Sequence, residues 1–196
     1  MCSSDLSFPT KTVAELIAFA KAHPGKVNIG SAGIGSIGHL AGELLKVMAG
    51  IDLVHVPYRG NGPALQALLS GEVQVVFPTP PSSIEFIRTG KLRGLATTGA
   101  TRAQALPEMP TVGEFVPGYE TSAWYGIGGP KGIPADAVDR IGQEINTGLA
   151  DPKMQARFAD LGGAPMKLAP AEFSRLIVDE TEKWAKVIRK ANLKPA

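Results

Sequence analysis

The run Ser31-Ala32-Gly33-Ile34-Gly35-Ser36-Ile37-Gly38-His39-Leu40 constrains the chain more than any other stretch. An apolar strand is expected just before it, over 27–29, and after it Leu40, Leu44, Val47 and Met48 fall on one face of a helix. A glycine-rich turn between strand and helix exposes bare backbone N–H groups, with the positive end of the helix dipole behind them. That is an anion site in outline. Ser31 and Ser36 add hydroxyls that either donate to a carboxylate or phosphate, or simply cap the helix.

The same run fits a second chemistry. Gly33-x-Gly35-x-x-Gly38 satisfies the dinucleotide fingerprint, and the strand expected over 53–56 is followed by Arg59, where an NADP enzyme places a phosphate-binding arginine. An NADP-binding oxidoreductase is therefore the alternative reading. Against it, no Ser-Tyr-Lys or His-Asp arrangement can be defended on spacing.

Composition narrows the partners. With 196 residues, 44% hydrophobic and 19% charged, the chain has material for one ordinary domain or two small ones. No run approaches the roughly 20 apolar residues that a bilayer span needs. The net charge is +2 and the basic residues form no block, so a nucleic-acid surface is not indicated. Cys2 stands alone, which excludes an internal disulfide, and His23, His39 and His55 lie far apart in sequence without metal-motif spacing. No metal and no cofactor is implied. Met1 to Leu6 has neither the basic region nor the apolar core of a signal peptide.

Along the chain, Thr12 and Glu15 have capping-box spacing, and Val13, Leu16, Ile17 and Ala20 predict a helix over Val13–Ala22. Gly50 ends the helix that follows the glycine turn. Pro63 opens a third helix with Leu65, Leu68 and Leu69, and a fourth follows the loop Pro78-Thr79-Pro80-Pro81. Strands over 73–77 and 92–96 complete an alternation that argues for a parallel, doubly wound α/β sheet, with ligands beyond the carboxyl ends of its strands. Thr111 and Glu114 repeat the capping-box spacing. After Gly118 the character changes. An extended stretch is expected over 119–129, then three amphipathic helices with one short strand over 164–168. Those helices need a partner layer that the tail does not encode, so strands supplied by residues before position 1 are expected to be absent, unless the tail covers the first unit. Trp184 is expected in the core.

Several motifs in order are similar to those of the Bug-type extracytoplasmic receptors of tripartite tricarboxylate transporters. They are Pro24-Gly25-Lys26-Val27-Asn28-Ile29-Gly30-Ser31-Ala32-Gly33, then Gly35-Ser36 and His39-Leu40, then Val56-Pro57-Tyr58-Arg59-Gly60. Gly90-Lys91-Leu92-Arg93-Gly94-Leu95-Ala96, Pro110-Thr111-Val112-Gly113-Glu114 and Trp124-Tyr125-Gly126 continue the match, which covers 8–193.

The resemblance implies a type II-like periplasmic binding protein, with two α/β lobes closing on a small carboxylated solute that passes to membrane transporter subunits. It implies that 7–122 form one complete lobe and that 123–196 are the C-terminal part of a second, whose first half and signal peptide are missing. This chain alone would then bind the solute weakly or not at all, since half of one wall is lacking. By position, Ser31, Ala32, Gly33, Gly35 and Ser36 would bind a ligand carboxylate through amides and hydroxyls, with Tyr58, Arg59 and Thr79 in the two neighbouring loops. Arg59 would either pair with the carboxylate or stand on the rim. His39 would be a structural hydrogen-bonding group or a ligand contact. Trp124 and Tyr125 would pack near the crossing between lobes. Pro78 stands where the family often has a polar or acidic residue, which points to simple dicarboxylates or aromatic acids over amino acids.

Overall fold

In the computed structural model, which describes residues 1–193, a five-stranded sheet is covered by helices on both faces. The elements run β1 (Cys2–Ser4), α1 (Val13–Ala22), β2 (Asn28–Ser31), α2 (Ile37–Ala49), β3 (Val54–Pro57), α3 (Asn61–Leu69), β4 (Val75–Val76), α4 (Pro80–Arg88) and β5 (Arg93–Ala96). A 3-10 turn, Val112–Glu114, closes this unit, and α5 (Ala135–Ala150), α6 (Pro152–Asp160) and α7 (Pro170–Lys190) follow.

The sheet order is β3-β2-β4-β1-β5. β2 pairs in parallel with β3 and β4, as the alternation of strands and helices predicts. The expectation of an all-parallel sheet is corrected at β1, which lies antiparallel between β4 and β5. Cys2-Ser3-Ser4 carries no alternating apolar pattern, so periodicity gave no sign of a strand. Burial nevertheless holds it in the middle of the sheet. The Met1 ammonium donates to the Pro78 carbonyl at 3.0 Å, and burial depresses its pKa to about 6. Burial likewise pushes the Cys2 thiol up to about 12, which leaves it protonated.

Each face of the sheet has its own core. Val13, Leu16 and Ala20 of α1 and Ala41 and Leu45 of α2 meet Ile29, Val75 and Leu95 on one side. Ala64, Leu65 and Leu68 of α3, with Phe86 and Ile87 of α4, meet Val73 and Val76 on the other. Successive residues of β4 thus serve opposite faces, as strand geometry requires.

Local chemistry explains the helix ends. Thr12 Oγ1 accepts from Glu15 N at 3.1 Å, and Gly50 closes α2 in the left-handed conformation with φ 62°. Thr111 and Glu114 form the full capping box, Thr111 N donating to Glu114 Oε1 at 2.9 Å.

Thr121 is the last buried residue among those described. Neither extended stretch of the tail, 119–129 or 164–168, is a strand, because neither finds an edge to pair with. α5, α6 and α7 bury no residue fully, and Trp184 is half-buried, not core as expected. Among the described residues the tail meets the sheet unit at α2 and at α4. Ile177, Trp184 and Ile188 of α7 face Ile37 and Leu40 of α2, and Gly162 lies against Pro80 of α4.

Candidate functional site

Where β2 and β4 run side by side, their following helices leave on opposite faces, which opens a crevice at the carboxyl ends of the strands. Three loops meet there. Tyr58 N donates to Ser31 O at 2.9 Å and Gly60 N to Ala32 O at 3.1 Å, tying the loop after β3 to the glycine loop. Asn61 Nδ2 donates to Thr79 Oγ1 at 3.2 Å, tying the starts of α3 and α4. The start of α2 is pressed onto the end of β4. A Cβ at Gly38 would lie 2.6 Å from the Phe77 carbonyl oxygen, so only glycine fits.

The glycine loop is held from within. Gly33 N donates to Ser31 Oγ at 3.2 Å, and Ser31 Oγ donates to Gly33 O at 3.1 Å. Gly35, at φ 77°, donates its N–H to His39 Nδ1 at 3.0 Å. Ser36 Oγ caps α2 by accepting from His39 N at 3.3 Å. These bonds give the loop's expected ligand groups partners of their own. The amides of Gly33 and Gly35 are already committed, and Ser31, 1% exposed, is a buried latch. The N–H groups without a protein partner among the described residues include Ala32, Ile34, Ile37 and Gly38. The unpartnered amides therefore lie mainly at the helix start.

The remaining candidates divide. Tyr58 is turned away from the crevice: its ring packs in the α3-side core and its hydroxyl donates to Glu72 Oε1 at 3.0 Å. Arg59 is exposed in the second loop and makes no ion pair among the described residues. Thr79 is the N-cap position of α4, its hydroxyl engaged by Asn61 and 3.3 Å from Ser82 Oγ. His39 is buried at 4% exposure, with its Nδ1 engaged by Gly35 N.

Sequence reasoning missed His55. Its ring stacks on His39 with centroids 3.7 Å apart and planes 14° apart, and its Nε2 lies 2.6 Å from Ser31 Oγ. Two histidines far apart in sequence are thus neighbours, because α2 folds back over the strand pair β2–β3. Burial, and then the neighbouring His39 and Lys46, lower the His55 pKa to about 4. Burial lowers that of His39 too, against the pull of Glu43. No group of three or more metal-ligating side chains occurs among the described residues, and no described helix is long and apolar enough to cross a membrane.

Electrostatics favour an anion. Acidic residues are stabilising in the first turn of a helix, and α1, α5 and α7 carry Glu15, Asp136 and Glu172 there. The three helices that open on the crevice, α2, α3 and α4, carry none; α6 has none in its first turn either, but is N-capped by the Asp151 carboxylate. Beside the start of α2, a groove of about 540 Å³ runs between the sheet unit and the tail, lined by Ile37, Leu40, Trp124, Tyr125 and Trp184 among others. Trp124 packs edge-on to Phe173 of α7 at 5.5 Å, while Tyr125 is 80% exposed.

Comparison with known proteins gives this arrangement a lineage. The structure resembles "R. palustris Rpa4515 with adipate" with a TM-score of 0.95 at 33% identity, covering 100% of this chain and 66% of that one. It resembles periplasmic binding protein BugD with a TM-score of 0.89 at 31% identity, covering 98% and 66%. MatC from Rhodopseudomonas palustris with bound malate gives 0.86 at 28% identity, covering 96% and 65%. The chain spans about half the length of the curated relatives it matches, for example 54% of a Pseudomonas protein that is 37% identical. None of these matches supports the oxidoreductase alternative. Residues 4–193 match the tripartite tricarboxylate transporter family receptor, TctC, and the chain belongs to that family.

Proposed function

We propose that this chain carries one wall of a periplasmic receptor that captures a small dicarboxylate between two lobes and delivers it to the membrane subunits of a tripartite tricarboxylate transporter. The observation that carries the reading is the convergence of three helix starts, α2, α3 and α4, with no carboxylate in any first turn. The adipate and malate held by two similar structures are both dicarboxylates, in keeping with that field.

In this reading one carboxylate lies against the Ile37 and Gly38 amides, and Arg59 closes over it from the second loop. Ser36 and Thr79 shape the rim while their hydroxyls remain engaged with protein partners. Binding and release involve no bond chemistry, so the protein works as a receptor and not as an enzyme. The complete lobe, expected over 7–122, extends back to take in β1, since Cys2–Ser4 lies between β4 and β5 in its sheet. Residues 123–196 belong to a second lobe whose remaining strands lie in chain outside this sequence; the exposed apolar positions of α5 to α7 and the half-length match to relatives support that division.

An amide-resolved NMR titration tests the site. Adipate at millimolar concentration is expected to shift Ile37, Gly38, Asn61 and Gly62 and leave Tyr58 unmoved, whereas NADPH shifts none of them. Saturable micromolar binding of NADPH, or adipate shifts confined to the tail, overturns the reading.

A further inference from the structure

The glycine loop has two inward bonds to imidazoles, and neither belongs to the anion site itself. His39 Nδ1 accepts the Gly35 N–H at 3.0 Å. An imidazole nitrogen that accepts carries no proton, so His39 is neutral with its hydrogen on Nε2, which points toward Glu43 Oε1 at 3.8 Å. At the other end of the loop, Ser31 Oγ accepts from Gly33 N and donates to Gly33 O. His55 Nε2 lies 2.6 Å from the same hydroxyl, a hydrogen bond whose direction follows the His55 tautomer. The two rings lie face to face, so each fixes the plane of the other.

We infer that the stacked His39–His55 pair is the positioning element of the anion loop: His39 fixes Gly35, His55 fixes Ser31, and the loop holds its shape only while His39 is neutral. This rests on the receptor reading for its consequence, but the loop geometry stands without it. Protonation at Nδ1 would replace an acceptor by a donor facing the Gly35 N–H, and the two groups would repel. The charges facing the pair are Glu43 and Lys46, both from α2, with Lys46 Nζ 2.9 Å from Glu43 Oε1. β2 contributes the uncharged Ser31 to the same contact. Lys46 occupies Glu43, which leaves that carboxylate less able to stabilise a charged His39.

The sign of the pH effect separates this role from plain electrostatics. Two protonated histidines near an anion site would strengthen anion binding through charge alone. Loss of the loop would weaken it. The asparagine side chain places an acceptor oxygen near the position of Nδ1 and does not titrate, so His39→Asn keeps the Gly35 bond at every pH, whereas His39→Leu loses it.

The experiment measures Gly33 and Gly35 amide shifts, the His39 tautomer by long-range nitrogen–proton correlation, and adipate affinity, from pH 8 down to 4.5. In the wild type, the Gly35 amide shift should follow His39 titration. Adipate affinity relative to His39→Asn, a ratio that cancels the protonation of adipate itself, should fall about tenfold, the upper end for one neutral hydrogen bond lost. His39→Leu should lose the affinity at pH 8, and His39→Asn should recover most of it. A wild-type ratio that stays flat or rises on acidification overturns the inference, as does a Gly35 amide indifferent to His39. Loop shifts that track His39 with no adipate binding at any pH leave the positioning role intact and overturn only the proposal that this wall holds the anion by itself.

Discussion

The sheet unit and the helical tail are built from similar amphipathic segments, yet only one of them reaches a finished core. In the sheet unit, Val13, Leu16, Leu68, Val73 and Val75 are each 0% exposed. In the tail, Ile177 is 42% exposed, Val178 56% and Ile127 71%. A helix gains most of its stability from burying its apolar stripe, at about 25 cal/mol per Å² of apolar surface. The first region has a sheet to bury against on both faces; the second has only the edge of α2 and a point of α4. Amphipathicity therefore specifies a helix and its face, while the partner layer decides whether that face contributes to stability.

The widest gap between the regions should appear on truncating side chains. Leu16→Ala removes a side chain from the closed core of α1 and is expected to cost about 2–5 kcal/mol in urea unfolding. Ile177→Ala deletes a comparable volume from α7, where there is no packed cavity to leave behind, and should cost less than about 1 kcal/mol. Equal losses would break the comparison and mean that the tail is held as firmly as the sheet unit. The matched pair also tests the proposed second lobe: in a longer version that supplies the remaining strands, the cost at Ile177 should rise toward that at Leu16.

An intermediate effect comes from acid. The folded-state pKa of His55 is lowered to about 4 from 6.5. Between those values the unfolded chain binds more protons than the folded one, so stability falls as pH drops from 6.5 to 4 and is independent of this group above that window. Unfolding of the sheet unit, followed in urea at pH 7 and pH 4.5, should show the loss, and His55→Gln should reduce it, leaving the part that His39 contributes. The helical signal of α5 to α7 should not respond to the substitution, since His55 lies on β3. A wild-type midpoint that does not move between the two pH values would remove His55 from the account.

Much of this architecture was legible in local chemistry. The caps at Thr12, Gly50 and Thr111 and the apolar spacing of α1 and α2 are properties of neighbouring residues, and they stand where the sequence predicts them. β1 was not legible, because two serines and a cysteine become a central strand only when β4 and β5 lie on either side. At the site, the position of the glycine turn was readable but the direction of its groups was not. Gly33 and Gly35 look like amide donors until Ser31 and His39 are seen to take them. Tyr58 looks like a rim residue until Glu72, brought alongside by α3, draws its hydroxyl away. His55 carries no motif at all, and the register Ile29 to His55 across β2 and β3 is what sets it beside the loop.

The smallest difference is expected from one chemical change made in both regions. Thr12 caps α1 with one side-chain bond to Glu15 N, and Asp151 caps α6 with two, to Lys153 N at 2.8 Å and Met154 N at 3.1 Å. Either cap is worth about 1 kcal/mol to its own helix. In a cooperative unit that loss is shared by the whole unit, because α1 cannot fray without exposing Val13 and Leu16. Thr12→Ala should therefore lower the global urea midpoint. Asp151→Ala should leave that midpoint in place and speed amide exchange only within α6, which can open locally because it buries nothing. The residue that leaves more bonds unmade would then have the lesser effect on global unfolding. That inversion follows from cooperativity alone, and a global loss from Asp151→Ala as large as that from Thr12→Ala would show that the two regions unfold as one.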